Sequence, residues 1–239
     1  VDEKGTIEDV RTLKLYNYAD DPANPAMSTC TPTIYNGRAY IGISGTAQFG
    51  AYSGHNLTVI DIPNWEIAYT VRTHGYPQTS GVLTTAYMEE TGCVYVYFFD
   101  NFTPGKLRVL EDKPGQTEVS LKTMETYTAS GQTATYTTPY NIFTPSGAQA
   151  QYAICSPIVD GEGNIYFKND SAYMMRLSSR VTVLEITRQP ERTVYEIGET
   201  FDGAGMQVTA LLANGMTRDV TDYVKFTAEP LTAEDTEIT

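Results

Sequence analysis

The residues that could do chemistry in this chain are few. His55 and His74 are its two histidines, each in a Gly-rich turn, Ser53-Gly54-His55-Asn56 and Thr73-His74-Gly75-Tyr76. A zinc site needs three or four His, Cys or acidic ligands converging on one point. Neither histidine has such a partner at ligand spacing, so both are expected to be solvated loop residues and no metal ligand is assigned. Cys30, Cys93 and Cys155 are too few for a disulfide framework and too scattered for a zinc knuckle. Their odd number leaves at least one thiol unbridged within the chain. A Ser or Cys nucleophile needs a base within hydrogen-bond reach, and no strand-turn-helix elbow is present to hold one. Three acid pairs, Glu89-Glu90, Glu111-Asp112 and Asp160 with Glu162, invite comparison with glycosidic chemistry, which places two carboxyls about 5 to 10 Å apart across a cleft. All three fall in or beside turns, where Asp and Glu serve local hydrogen bonds and solvation. Asp160-Gly161-Glu162-Gly163-Asn164 has the start of a calcium loop without its later acidic ligand. No catalytic residue and no cofactor is therefore assigned within this chain.

The most unusual stretch runs from Thr126 to Val159. It contains no charged residue and is dominated by Thr, Ser, Gln, Tyr and Gly. Connections longer than about 12 to 15 residues in a compact domain are usually functional or disordered. Tyr136, Tyr140, Phe143 and Tyr152 are the candidate ligand-binding residues: aromatic faces stack on the C–H surfaces of sugars, while Thr, Asn and Gln hydrogen-bond to hydroxyls. A structural reading competes with it. The alternation Thr133-Ala134-Thr135-Tyr136-Thr137-Thr138 suits a half-exposed strand equally well.

The elements that would position these residues are strands. Tyr (18) and Thr are abundant, Gly (19) and Pro (12) punctuate short apolar runs, and no long segment has apolar residues at helical spacing. Helix is expected to be minor. The chain also repeats itself. Cys30-Thr31-Pro32-Thr33-Ile34-Tyr35-Asn36-Gly37-Arg38-Ala39-Tyr40-Ile41-Gly42 matches the segment from Cys155 to Phe167, and Gly81 to Phe99 is a weaker copy. Each copy reads as strand, tight Gly turn, strand, with Asn36-Gly37 suited to the shortest hairpin loop. Third strands are expected at 56–62, 106–111 and 172–177, and fourth strands at 66–71 and 118–123. Val10 to Tyr18 reads as the outer strand of another such unit.

A net charge of −13 repels phosphate backbones and anionic membranes, which argues against nucleic acid as a partner. No apolar stretch approaches the roughly 20 residues of a bilayer span, so membrane insertion is not expected. Val1-Asp2-Glu3-Lys4 resembles neither an initiator Met nor a signal peptide, and the chain is expected to begin within a longer precursor.

Two resemblances sharpen the picture. Val183-Leu184-Glu185-Ile186, Pro190, Tyr195, Gly198, Phe201-Asp202, Gly205, Val208-Thr209-Ala210, Asn214-Gly215 and Asp219-Val220-Thr221-Asp222-Tyr223 resemble the third group of bacterial immunoglobulin-like domains. Such modules are β-sandwich spacers of Gram-positive surface and secreted proteins, and the resemblance implies that Tyr223 packs inside the sandwich. Residues 28 to 179 resemble blades of pyrroloquinoline-quinone-type β-propellers, with four antiparallel strands to a blade. The regularly placed Trp residues of quinoprotein blades are missing, so cofactor binding does not carry over.

The expectation is thus an all-β chain: about three propeller-like blades over 1–179, then a truncated immunoglobulin-like module over 180–239. The expected role is that of a non-catalytic, secreted or cell-surface adhesion or ligand-binding protein whose partner is a glycan or a host or surface glycoprotein. Open sheet edges would favour self-association. The alternatives are a fragment of a polysaccharide-degrading enzyme whose active site lies elsewhere, and a structural stalk.

Overall fold

The computed structural model describes residues 3–15, 27–45, 54–129, 131–213, 215, 217–226 and 229–235. The protein is all-β, as its composition requires, and divides into two compact units, Val1–Arg176 and Leu177–Thr239. Among the described residues the strands form separate antiparallel sheets, none closed on itself.

The first sheet of unit 1 is a meander of β1 (Thr33–Tyr35), β2 (Arg38–Ile43), β3 (Asn56–Asp61) and β4 (Glu66–Arg72). Asn36 and Gly37 join β1 to β2 with φ of 44° and 74°, the left-handed pair that a two-residue hairpin demands. All of β2 is buried because both faces of the sheet are covered. Tyr40 enters a core with Leu57, Val59, Tyr69 and Val71, whereas Ala39, Ile41 and Ile43 pack on the other side with Ile60. A side chain at Gly42 would collide with the carbonyl of Pro77, so only glycine lets the segment after β4 pass over β2.

Leu13 and Leu15 also lie against that second face. Residues 10–15 are not a strand, which corrects part of the expected outer strand; its remainder, 16–18, lies outside the described residues. These two leucines are held by side-chain packing rather than by a ladder.

The second sheet contains β5 (Val82–Thr84), β6 (Val94–Asp100), β7 (Lys106–Asp112), β8 (Lys122–Ala129) and β9 (Gln132–Phe143), ordered β5-β6-β7-β9-β8. A single helical turn, α1 (Met88–Thr91), links β5 to β6 and is stopped by Gly92 in the left-handed region. Val94, Val96, Phe98 and Leu110 meet the core residues of the first sheet. The position beside β7, expected for residues 118–123, belongs to β9 instead. Tyr140 to Phe143 pair with β7, while 132–139 pair with β8. Pro139 marks the change of partner; having no N–H, it suits a point where a ladder breaks. Val119, which gave the 118–123 segment its strand-like pattern, enters the core from a loop.

The third sheet comprises β10 (Ile158–Val159), β11 (Ile165–Lys168) and β12 (Met174–Leu177). Phe167 packs on Phe99 and Phe143 of the second sheet, with centroids 4.6 and 5.9 Å away. Asp160 organises its hairpin loop from within, its carboxylate accepting bonds from the Glu162 and Asn164 N–H groups, the Asn164 side chain and the Tyr166 hydroxyl. These bonds, that of the Asn164 side chain first, hold its pKa down to about 2. The segment that resembled a calcium loop is a self-bonded turn.

Unit 2 is built on β13 (Val181–Arg188), β14 (Gln207–Leu212) and β15 (Thr217–Asp219), with β14 central. Val208, Ala210 and Leu212 are buried. Their neighbours Leu184 and Ile186 on β13 remain 62% and 51% exposed and line an apolar groove with Pro190, Phe201 and Phe226. Tyr223 is not a core residue. It is 78% exposed in a 3-10 turn, because Asp219 accepts bonds from both the N–H and the hydroxyl of Thr221 and ends the strand there.

Candidate functional site

Strand β7 sets the chemistry of unit 1. Arg108, Leu110 and Asp112 share one face because side chains alternate along a strand, and Leu110 places that face against the first sheet. The interface is apolar at its middle and ionic at both ends, about 13 Å apart for four residues of strand.

At one end Asp112 is fully buried. It accepts hydrogen bonds from the hydroxyls of Tyr40 (2.8 Å) and Tyr69 (2.7 Å). Arg38 is also buried, and its Nε lies 3.5 Å away as an ion pair without hydrogen-bond alignment. Burial first, then the Asp112 charge, raises both phenol pKa values well above the tyrosine range. These tyrosines are permanent donors.

At the other end Arg108 is fully buried. Its Nε donates to Asp100 (2.6 Å), its Nη2 to Glu125 (2.8 Å) and Tyr127 (3.0 Å), and its Nη1 to Glu125, Thr138 and the Pro139 carbonyl. Burial works against the charged guanidinium, but Asp100 and Glu125 outweigh it and hold its pKa above the usual value. Glu125 is lowered for the reciprocal reason: burial raises it, and Arg108 together with Lys106 overcomes the rise. Lys106 Nζ bridges Glu125 and Tyr127, 3.1 Å from each. Arg108 thus fixes the β8–β9 hairpin to β7 at its base, opposite the change of partner at Pro139.

An aromatic stack stands on this base. Tyr127 and Tyr136 face each other at 5.5 Å. The His74 ring lies parallel to Tyr127 at 3.3 Å and meets Phe102 edge-on at 4.0 Å. Its Nδ1 is 3.3 Å from the Tyr136 hydroxyl. Arg72, at the end of β4, places its guanidinium 4.2 Å from the Tyr136 ring centre, a cation-π geometry.

His55 and His74 are therefore not solvated; they are 1% and 3% exposed. Tyr127 and Phe102 cover His74, whereas His55 lies alongside Tyr76, 6.1 Å away. Burial, then the charges of Lys106 and Arg108, lowers the His74 pKa to about 4. Folded His74 is neutral down to pH about 4, while an unfolded histidine binds its proton near 6.5. The unfolded state holds more protons throughout that window, so stability must fall as pH drops through it. The expected loss is about 3 kcal/mol by pH 4, at about 1.4 kcal/mol per pH unit. Glu125, His55, Lys106 and Arg108 share this surrounding, so denaturation curves for wild type and His74→Phe between pH 7 and 4 must be compared. An equally steep decline in the variant would refute the assignment to His74.

The four aromatic residues singled out from sequence lie in different settings. Tyr136 is within the stack, with a cation over its ring. Phe143 packs on Phe167. Tyr140 and Tyr152 are 45% and 48% exposed, on β9 and on the loop after it. Arg72, Lys106, Arg108 and Glu125, absent from the sequence reading, are what the fold gathers around Tyr136 and Tyr127.

The remaining candidates are structural. Cys30 and Cys155, matched in the repeat, precede β1 and β10, and all three cysteines are unbridged. The Cys30 sulfur accepts the Gly42 N–H. Glu111 accepts from Tyr95 and Ser120, and Glu89 and Glu90 lie in the first turn of α1. Among the described residues no group of three or more His, Cys, Asp or Glu could hold a metal ion, and no helix is long and apolar enough to cross a membrane. No protein-family model matches the chain, and no curated protein matches it.

Proposed function

We propose that this chain is a non-catalytic part of an exported bacterial surface protein that binds glycan through the β8–β9 hairpin. In this reading the sheets of unit 1 are propeller-type blades and unit 2 is an immunoglobulin-like spacer. One observation carries it: the ribbon, charge-free from Thr126 onward, extends beyond its pairing with β7 on a base locked by Arg108. Its outer face is a hydroxyl ladder, with Thr126 opposite Thr135 at 2.7 Å and Thr128 opposite Thr133 at 2.9 Å. Exposed Tyr140 adds an aromatic surface farther along β9. Sugars are met by such combinations of hydroxyls and rings, held rigid so that little ordering cost attaches to binding.

The shifted groups of the interface support a non-catalytic role. Tyr40, Tyr69, Arg108 and Glu125 direct their polar atoms into bonds with one another and with Asp112 and Asp100. A catalytic acid or base must instead reach the reacting atoms.

The test is a screen against plant, mucin and bacterial glycans with wild type, Tyr140→Ala and Thr135→Lys. Binding weakened about tenfold or more in either variant, about 1.4 kcal/mol, supports the reading. Silence across the array overturns it. The fallback is then a structural stalk, favoured by the ordinary pairing of 132–139 and the half-buried Tyr127 and Tyr136.

A further inference from the structure

We infer that the hairpin takes an acidic sugar whose carboxylate is received by the Arg72 guanidinium on the ribbon face opposite the hydroxyl ladder, an assignment that rests on the glycan reading above. Three features single out Arg72. Among the described residues no carboxylate forms an ion pair with it, whereas its neighbours Lys106 and Arg108 are matched by Glu125 and Asp100. Arg72, Lys106 and Arg108 against Asp100 and Glu125 make three cations to two anions, so the cluster carries one excess positive charge in a chain of net charge −13.

Second, Arg72 has an unused donor among the described residues. Its Nε is buried with no hydrogen-bond partner, while the residue as a whole is only half-buried, so part of it remains exposed to solvent. Arginine presents a planar fork that matches the two oxygens of a carboxylate. Third, the side chain is already placed. Stacking on Tyr136 at 4.2 Å fixes the side chain's orientation, and Tyr136 is itself held between Tyr127 and the hydrogen bond to His74. A carboxylate would meet a preorganised receptor rather than a freely rotating chain, which reduces the entropy lost on binding.

After burial, the charges of Lys106 and Arg108 lower the His74 pKa further, with Glu125 opposing them, in keeping with the excess positive charge of the cluster. Sulfate and phosphate esters would feel the same field and can also accept two bonds from the fork, so sugars bearing them belong in the wider array.

The probes are oligogalacturonate and sialyllactose, each paired with its methyl ester, so that charge is removed while the sugar is kept. Titration of the full chain should show each acid bound about tenfold or more tightly than its ester, with the difference shrinking as salt is raised. In Arg72→Gln the acid and the ester should bind alike, and Arg72→Lys should keep part of the preference; thermal midpoints near wild type would establish that both variants are folded. Esters binding as well as acids to wild type, or a preference that survives Arg72→Gln, overturns this assignment and leaves the glycan reading standing. If none of the four probes binds while the wider array does, the acidic class is wrong. If nothing binds anywhere, both readings fall.

Discussion

Asp112→Ala should destabilise unit 1 by about 3 to 5 kcal/mol, the range for breaking a buried ion pair by removing one partner. The substitution strands three groups at once. Arg38, almost fully buried, loses its closest carboxylate, and the hydroxyls of Tyr40 and Tyr69 lose their acceptor in a region closed to water. A protein of this size has only about 5 to 15 kcal/mol to lose. Chemical denaturation of the full chain, followed by tyrosine fluorescence, would measure the change. Asp112→Asn should fall between wild type and alanine, since its amide still accepts one bond but offers no charge to Arg38. A loss below about 1 kcal/mol in the alanine variant would mean that water reaches this end of the interface.

A comparable loss, about 3 to 5 kcal/mol, is expected for Arg108→Met, which retains volume while leaving Asp100 charged and buried. The signature differs from that of Asp112. Glu125, Tyr127, Thr138 and Pro139 all hold the hairpin through Arg108, so amide exchange should accelerate over 122–139 more than in β6. Adding Asp100→Asn to Arg108→Met should restore part of the stability, because the uncompensated charge is gone and the Lys106 N–H keeps an acceptor. If the double variant is no more stable than the single one, desolvated charge is not the cause.

The strands were legible to the extent that their pattern was local. Asn36-Gly37 identified its turn because few other residue pairs accept two positive φ values, and the matching segments at 30–42 and 155–167 located hairpins in the first and third sheets. The place beside β7 was not legible. Val119 and Leu121 carry the alternation of a strand, yet nothing nearby indicates that β9, 20 residues farther on, outcompetes them for the ladder. The site failed to show for a related reason. The segment 126–159 stands out for its lack of charge, whereas the groups that give Tyr136 and Tyr127 their setting come from outside it: Arg72, His74, Lys106, Arg108 and Glu125. One signal was available. Arg108 and Asp112 flank Leu110 at spacings of two, and charges on the apolar parity of a strand mark buried pairs more often than solvent.

Pro139 and Arg108 also divide the hairpin into an invariable and a variable part. Between Lys122 and Tyr127 on one arm, and Tyr136 and Pro139 on the other, loss or gain of one residue would turn the inward side chains outward, since facing alternates strictly along a strand. Beyond Thr128 and Thr133 no such constraint applies, because among the described residues every anchor lies on the base side. The far end can therefore accept insertions, loop exchange or a grafted peptide without disturbing the sheets below. Length polymorphism among homologues should accumulate there.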